Sequence, residues 1–445
     1  MQFEKRELID KLILHGQVVT MDENLSLIED GAVAVNGTKI VAVGPSSELA
    51  SKYDVGVTID ASGQIVMPGL INAHTHAAGI LFRGLVTTGP LFERLETYWR
   101  LERKFCRPDT ISAGSRLAFA EMMRSGTTTA MDMYFYPEAS AEVARQIGFR
   151  LLTGPGHMNI NNPPDGIPIR EVAALAREFM HQYQHDALIT PIVKPHSVYT
   201  VPPEFLQQAK ALADEFGAIF HTHAAESAQE SADVYKRYDN TPIDHLEAIG
   251  VLDDRTVLAH CVHVSDREIA VLAERKTAAV HCPVNNLRGG SGIAPVPKML
   301  QTGVPILLGT NGAMRSNPLE MWMTMRLAAM IQRGLHQDPG LVPDLEVVKM
   351  ATCGAARALQ LNTGSLEPGK LADIILVDLE SPHLIPVVSI QQIYSHLINA
   401  VGRENISTVI INGQMVMQDR RMLTLDVRET IREIKSINQQ IASYL

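Results

Sequence analysis

Cysteine is scarce in this chain and unclustered. Cys106, Cys261, Cys282 and Cys353 include no Cys-x-x-Cys pair. That argues against a disulfide framework or a thiolate metal cluster and points to a reducing compartment. A basic excess is missing too: the formal charge at pH 7 is −10, so neither nucleic acid nor an anionic membrane is an expected partner. The segment Met1–Glu7 has no apolar signal core, and no stretch approaches the ~18 apolar residues of a membrane span. A soluble, cytoplasmic chain is the expectation. The glycine fingerprint of dinucleotide-binding folds is also absent, which counts against an open doubly wound sheet.

What is present is β-rich texture at both ends and alternating βα texture between. Near the N-terminus Leu12–Leu14, Val18–Thr20, Gly31–Val35 and Lys39–Val43 read as short strands, and Asn36-Gly37 is a strong hairpin signal. The same texture returns in Ala372–Val377, Ser407–Ile411 and Gln414–Met417, with Asn412-Gly413 as the turn. Each piece is too thin to bury a core alone, so residues 1–65 and 366–425 are expected to form one small β-sandwich. Between them lie eight apolar runs: Ile65–Ala73, Thr127–Met133, Arg150–Gly154, Leu188–Lys194, Ala218–His223, Thr256–His260, Ala278–His281 and Pro305–Thr310. Helical stretches such as Pro203–Phe216 and Ser265–Glu274 separate them. The pattern predicts an α/β fold, a (β/α)8 TIM barrel over residues 66–365, followed by a C-terminal helix over 426–445.

In such a barrel, chemistry collects at the C-terminal ends of the strands. His74 and His76 close the first predicted strand, and residues two apart on a strand share a face. His223 closes the fifth, with His221 two residues earlier competing as the inward-facing one, and His260 closes the sixth. A lone histidine there is more often a hydrogen-bonded core residue; four at strand ends point to a metal. Imidazole nitrogens suit one divalent ion, zinc first and iron second, and an open position would lower the pKa of a coordinated water towards ~7. Glu226, three residues past His223, is the natural proton donor, while Glu230 reads as a solvated helix-start carboxylate. Lys194 ends the fourth strand, where a carbamylated lysine could bridge two ions, but His196 beside it suits a substrate-facing role better.

Several longer motifs carry a family resemblance: Pro68-Gly69-Leu70-Ile71-Asn72-Ala73-His74-Thr75-His76, Ala259-His260-Cys261-Val262-His263, His281-Cys282-Pro283-Val284-Asn285-Asn286-Leu287 and Gly364-Ser365-Leu366-Glu367-Pro368-Gly369. With them the chain resembles, nearly end to end, the amidohydrolase superfamily. The branch is that of S-adenosylhomocysteine/methylthioadenosine deaminases, guanine deaminases and triazine hydrolases. The resemblance implies His74, His76 and His223 as metal ligands, Glu226 as acid/base and His260 as the group stabilising the attacked centre. It also implies a fourth ligand and proton relay, normally aspartate, at position 311, where this chain has Asn311. His196, Arg150 and Glu102 match substrate-contacting positions of the nucleoside deaminases.

Departures lie in the pocket wall. Phe92-Glu93-Arg94-Leu95 replaces a loop tryptophan, Thr153-Gly154-Pro155-Gly156 lacks a second substrate arginine, Arg288 stands where lysine is usual, and Met314-Arg315 replace small residues. The expected activity is a metal-dependent aminohydrolase acting on a purine- or triazine-like N-heterocycle through metal-bound hydroxide. The alternatives are hydrolysis of a C–N or C–Cl bond in a triazine- or phenylurea-type compound, and a catalytically silent paralogue that only binds a small molecule. Asn311 fits an introduced substitution, a specialist that uses Glu226 or His260 as its base, or such a silenced paralogue. A small-molecule substrate and a homo-oligomer, dimer or larger, complete the expectations. Met321–Met330 suits helix-core packing better than a subunit interface.

Overall fold

The computed structural model describes residues 6–85, 91–315 and 317–445. Both chain ends enter one nine-stranded sheet. Glu7–Val19 pairs antiparallel with Leu27–Asn36 and parallel with Tyr53–Asp60 and Gln64–Pro68. Gln64–Pro68 then pairs with Ile374–Asp378, which leads on to Ile406–Ile411 and Gln414–Gln418. The sheet folds over a shared core, in which Ile13, Val35 and Ile40 meet Ile374, Leu376 and Ile410. Its two Asn-Gly hairpin tips touch. A Cβ on Gly413, at φ +76, would lie 2.1 Å from the Gly37 carbonyl oxygen, so no larger residue fits this meeting point.

The run Ile65–Ala73, expected as one strand, is two. Gln64–Pro68 belongs to the terminal sheet and Leu70–Thr75 to the barrel. Gly69 separates them because the Thr128 side chain fills the space a Cβ would need, 2.2 Å away. Hydrophobicity cannot show this switch, since both halves are fully buried.

Two four-stranded parallel sheets form the barrel. The first joins Leu70–Thr75, Thr127–Asp132, Arg150–Thr153 and Ile189–Pro191; the second joins Phe220–Ala224, Thr256–His260, Ala278–His281 and Ile306–Leu308. Parallel bridges Val193–Phe220 and Ser197–His223 connect strands four and five. Strand four is shorter than expected, although Ile192 and Val193 beyond it still donate to the Thr153 and Ile219 carbonyls. Strands eight and one are tied by the Asn72 side chain, which donates to Thr310 Oγ1 (2.7 Å) and accepts from Thr310 N (3.0 Å). The Asn311 N–H also donates to the His74 carbonyl at 3.0 Å.

The surrounding helices have clear stops and starts. Pro203–Phe216 begins with proline and ends at Gly217 in the left-handed region, while Asp266–Arg275 opens with a Ser265/Glu268 capping box. The final helix, Val427–Tyr444, is capped by Asp426 and buries Ile434, Ile437 and Ile441. Arg116, on the helix Pro108–Arg124, anchors it through Glu433 at 2.7 Å. In Met321–His336, Met321 and Met325 are buried while Met323 and Met330 face outward. No helix among the described residues is long and apolar enough to cross a membrane.

Candidate active site

The histidines converge at the C-terminal mouth of the barrel, and their hydrogen bonds fix which nitrogen each presents. His76 Nδ1 lies 2.5 Å from the Met133 carbonyl, and His223 Nδ1 lies 2.7 Å from the His196 carbonyl. A carbonyl only accepts, so both rings carry their proton on Nδ1 and present a lone pair on Nε2. Those two Nε2 atoms are 3.3 Å apart. Two facing lone pairs repel unless a cation lies between them.

His74 follows the same rule one step removed. His221 Nδ1 donates to the Val257 carbonyl (2.9 Å), so its Nε2 accepts from His74 Nδ1 (2.9 Å). His74 Nε2 is left buried, as a lone pair without a partner. The competition between His221 and His223 is thereby resolved: His223 faces the site, and His221 orients His74 from behind. Burial, reinforced by the neighbouring rings, holds His74 and His76 well below the usual histidine pKa and His223 down to about 4. These are neutral donors suited to a divalent ion. The ring nitrogens of His74, His223 and His260 gather within 4.8 Å of one another.

His260 has φ 83, and its Nδ1 donates to Asn286 Oδ1 at 2.9 Å. Its Nε2 therefore also offers a lone pair, 3.7 Å from Glu226 Oε2. Asn286 was not singled out by pattern, although it lies in a quoted motif. Glu226 accepts from Asn285 Nδ2 at 3.3 Å. The neighbouring Glu230 is not solvated, contrary to expectation. It is fully buried, and its carboxylate receives the N–H groups of Ala225 (3.1 Å) and Glu226 (2.7 Å). That clamp stabilises the left-handed turn at Ala225, φ 54, which aims Glu226.

Asn311 sits beside the cluster in a left-handed conformation, φ 57, that asparagine tolerates well. Its Oδ1 accepts the Gly312 N–H at 2.6 Å, which leaves Nδ2 facing His260 Nε2 at 3.4 Å. The expected fourth ligand thus turns a hydrogen-bond donor towards the site rather than a lone pair.

A cleft with about 1240 Å³ of open space, solvent at its mouth included, is lined by His76, His223, Asn311, His196 and Glu102 among others. His196 Nδ1 is held by Thr200 Oγ1 at 2.8 Å. Glu102 is 3 % exposed, accepts from the Tyr134 hydroxyl at 2.8 Å, and is pushed up to about 7 by burial.

Three expectations need correction. Arg150 does not contact substrate: it starts the third strand, at the opposite end of the barrel. There its guanidinium pairs with buried Asp373 (2.7 Å) and donates to the Ala187 carbonyl. Arg288 is exposed and does not line the cleft. Lys194 lines it, but Nζ donates to the carbonyls of Tyr134 (2.6 Å) and Asp132 (3.3 Å); a carbamate there would set oxygens against oxygens. His157, on the cleft wall with both ring nitrogens unpartnered, lies in a Gly/Pro-rich loop without periodicity, and nothing in the sequence pattern marks it.

Residues 65–416 match the amidohydrolase family. The chain belongs to that family. Among relatives of this amidohydrolase, a 5-methylthioadenosine/S-adenosylhomocysteine deaminase of Syntrophobacter fumaroxidans is 38% identical, over 97% of this chain and 98% of that one. An adenosine deaminase from Xanthomonas campestris, solved with bound zinc, superposes with a TM-score of 0.95 at 32% identity, covering 99% and 100% of the two chains. An atrazine chlorohydrolase from Arthrobacter aurescens, complexed with zinc, gives 0.86 at 26% identity, covering 96% and 100%. The chain is accordingly a hydrolytic enzyme of the amidohydrolase type, acting on C–N bonds other than peptide bonds.

Proposed function

We propose that this amidohydrolase deaminates the purine ring of an adenine nucleoside, with one zinc ion held by His74, His76 and His223. The observation that carries the reading is the convergence of three Nε2 lone pairs beside Glu226 and His260, with His76, His223 and Glu226 lining the cleft. Its support from kinship is the 38% identity to a nucleoside deaminase over nearly the whole chain, against 26% for the triazine enzyme.

The ion, when bound, supplies Lewis-acid activation of water. The chain's own groups handle the protons. His260 Nε2, already an acceptor towards Asn311, takes the proton of the attacking water in place of the missing aspartate. Glu226 donates its proton to the ring nitrogen next to the attacked carbon. The amine leaves as ammonia after receiving the proton held by His260, and the adduct's remaining hydroxyl proton returns to Glu226 as the ring carbonyl forms. Asn311 positions His260 and cannot relay a proton itself.

Ammonia release from adenosine and 5-methylthioadenosine by zinc-loaded protein tests the activity. Glu226→Gln is expected to lower kcat at least ~100-fold with zinc content unchanged. A loss below about threefold would contradict the role given to Glu226.

A further inference from the structure

Asn-Gly occurs in the chain as Asn36-Gly37, Asn311-Gly312 and Asn412-Gly413. The first and last are hairpin tips of the terminal sheet, whereas Asn311 lines the cleft, half-buried. Its side-chain amide is itself a C–N bond outside the peptide backbone, and it is held as a substrate amide would be. The carbonyl oxygen accepts the Gly312 N–H at 2.6 Å, a donor placed to stabilise the negative charge that attack on Cγ would create. The nitrogen faces His260 Nε2 at 3.4 Å, and Glu226 Oε2 is 3.7 Å from that same Nε2. A proton collected by His260 is therefore delivered to the nitrogen that must leave. The backbone is tied on both sides. The Asn311 N–H donates to the His74 carbonyl (3.0 Å), and the Asn311 carbonyl accepts from Thr310 Oγ1 (3.0 Å) and Thr75 Oγ1 (3.3 Å). Those ties oppose the rotation by which a glycine nitrogen closes a succinimide ring, the ordinary route of Asn-Gly loss. By sequence alone the exposed Asn36 would convert first.

We propose that Asn311 is a self-modification site: the chain's own proton-handling groups hydrolyse its side-chain amide to aspartate. Water adds its oxygen to Cγ and gives a proton to His260 Nε2. The Cγ–Nδ2 bond breaks as Nδ2 takes that proton, ammonia departs, and solvent accepts the proton of the new carboxyl group. One water is consumed, one ammonia is released, and nothing is oxidised or reduced. The ion of the proposed function, when bound, supplies activation of that water. The inference rests on the metal-site part of that reading and not on the nucleoside. The product keeps the Gly312 bond and turns its second oxygen towards the imidazole lone pairs. The groups that serve the reaction lack the carboxylate it creates, so conversion is slow and fresh protein carries mainly the amide.

The test is peptide mass mapping of the full-length protein, purified from metal-depleted medium and then incubated with zinc or with a chelator in water labelled with heavy oxygen. With zinc, residue 311 is expected to take up one labelled oxygen and become aspartate at least ~10-fold faster than Asn36 or Asn412, a lead that the chelator removes. The product should be ordinary aspartate, whereas opening of a succinimide leaves mostly isoaspartate. His260→Gln should slow the conversion at least ~10-fold at equal zinc. Should that variant fail to fold, the comparison of zinc with chelator on the unaltered chain decides alone. Conversion of Asn311 no faster than that of Asn36 in zinc, or a product that is mainly isoaspartate, would overturn the proposal. Ammonia release from 5-methylthioadenosine, followed on the same aliquots, tests the nucleoside separately. Aspartate formed at position 311 in protein that turns over no nucleoside would overturn that reading and leave the self-modification standing.

Discussion

Replacing Asn311 by aspartate is expected to raise kcat ~10²–10⁴-fold, because it restores a carboxylate where the site now has an amide. The local geometry says why the gain falls on proton transfer. Oδ1 already accepts the Gly312 N–H at 2.6 Å, and a carboxylate oxygen keeps that bond. The other atom changes from an N–H donor, 3.4 Å from the His260 Nε2 lone pair, to a second oxygen lone pair. Two facing lone pairs are comfortable only with a proton or an ion between them, so the substitution creates a proton-holding position next to Glu226 and His260. The expected gain corresponds to ~3–5 kcal/mol of barrier. Folding should change by less than ~1 kcal/mol, since aspartate tolerates φ 57 about as well as asparagine. Steady-state ammonia release, with zinc content measured on the same samples, reads the effect. A change under threefold at equal zinc would refute the reasoning and place proton transfer elsewhere.

Other perturbations separate structural from catalytic groups. Arg150→Met should destabilise the fold by ~3–5 kcal/mol in urea titration, because it strands a buried Asp373 carboxylate, while KM stays within twofold; a tenfold KM rise with unchanged stability would restore Arg150 to the substrate. Glu230→Leu leaves the Ala225 and Glu226 N–H groups without acceptors and should cut kcat at least ~10-fold at constant zinc, with Glu230→Gln recovering part of it. If both variants turn over normally, the clamp does not aim Glu226. Glu102 titrates at about 7 when folded against an ordinary 4.5, so the folded state holds the extra proton between these values. Its contribution is present below about pH 4.5 and is lost as pH rises to 7, by up to about 3 kcal/mol. Denaturation across that window should show a slope that Glu102→Gln flattens; an identical slope in the variant would contradict the burial argument.

The sequence discloses this molecule unevenly, and the reasons are physical. Strand ends were legible because a polar residue that closes an apolar run has few uses in a barrel other than the site, as His74, His223 and His260 show. The barrel and the sheet shared by both termini followed from period and from paired Asn-Gly turns. Arg150 misled because resemblance aligns positions and says nothing of which end of a strand a side chain serves. It opens its strand, and strand starts lie on the face that gives stability rather than chemistry. Glu230 misled for a related reason: a carboxylate four residues beyond Glu226 on a new helix is solvated by default, and only the tertiary packing shows two backbone N–H groups turned towards it.

Side-chain direction is what spacing cannot supply, and at this site direction decides function. His221 and His223 share a strand face by period, yet one accepts a hydrogen bond from His74 and the other shows a bare nitrogen to the centre. That division depends on carbonyls of Val257 and His196, groups every residue possesses and no motif distinguishes. The same logic applies to Asn311. Composition shows a missing charge; the Gly312 N–H shows which way the amide must face. Facing that way, Asn311 Nδ2 meets the His260 Nε2 lone pair at 3.4 Å. Under the proposed mechanism the amide cannot serve as a base, and the lone pair it faces on His260 is the group that would stand in for one.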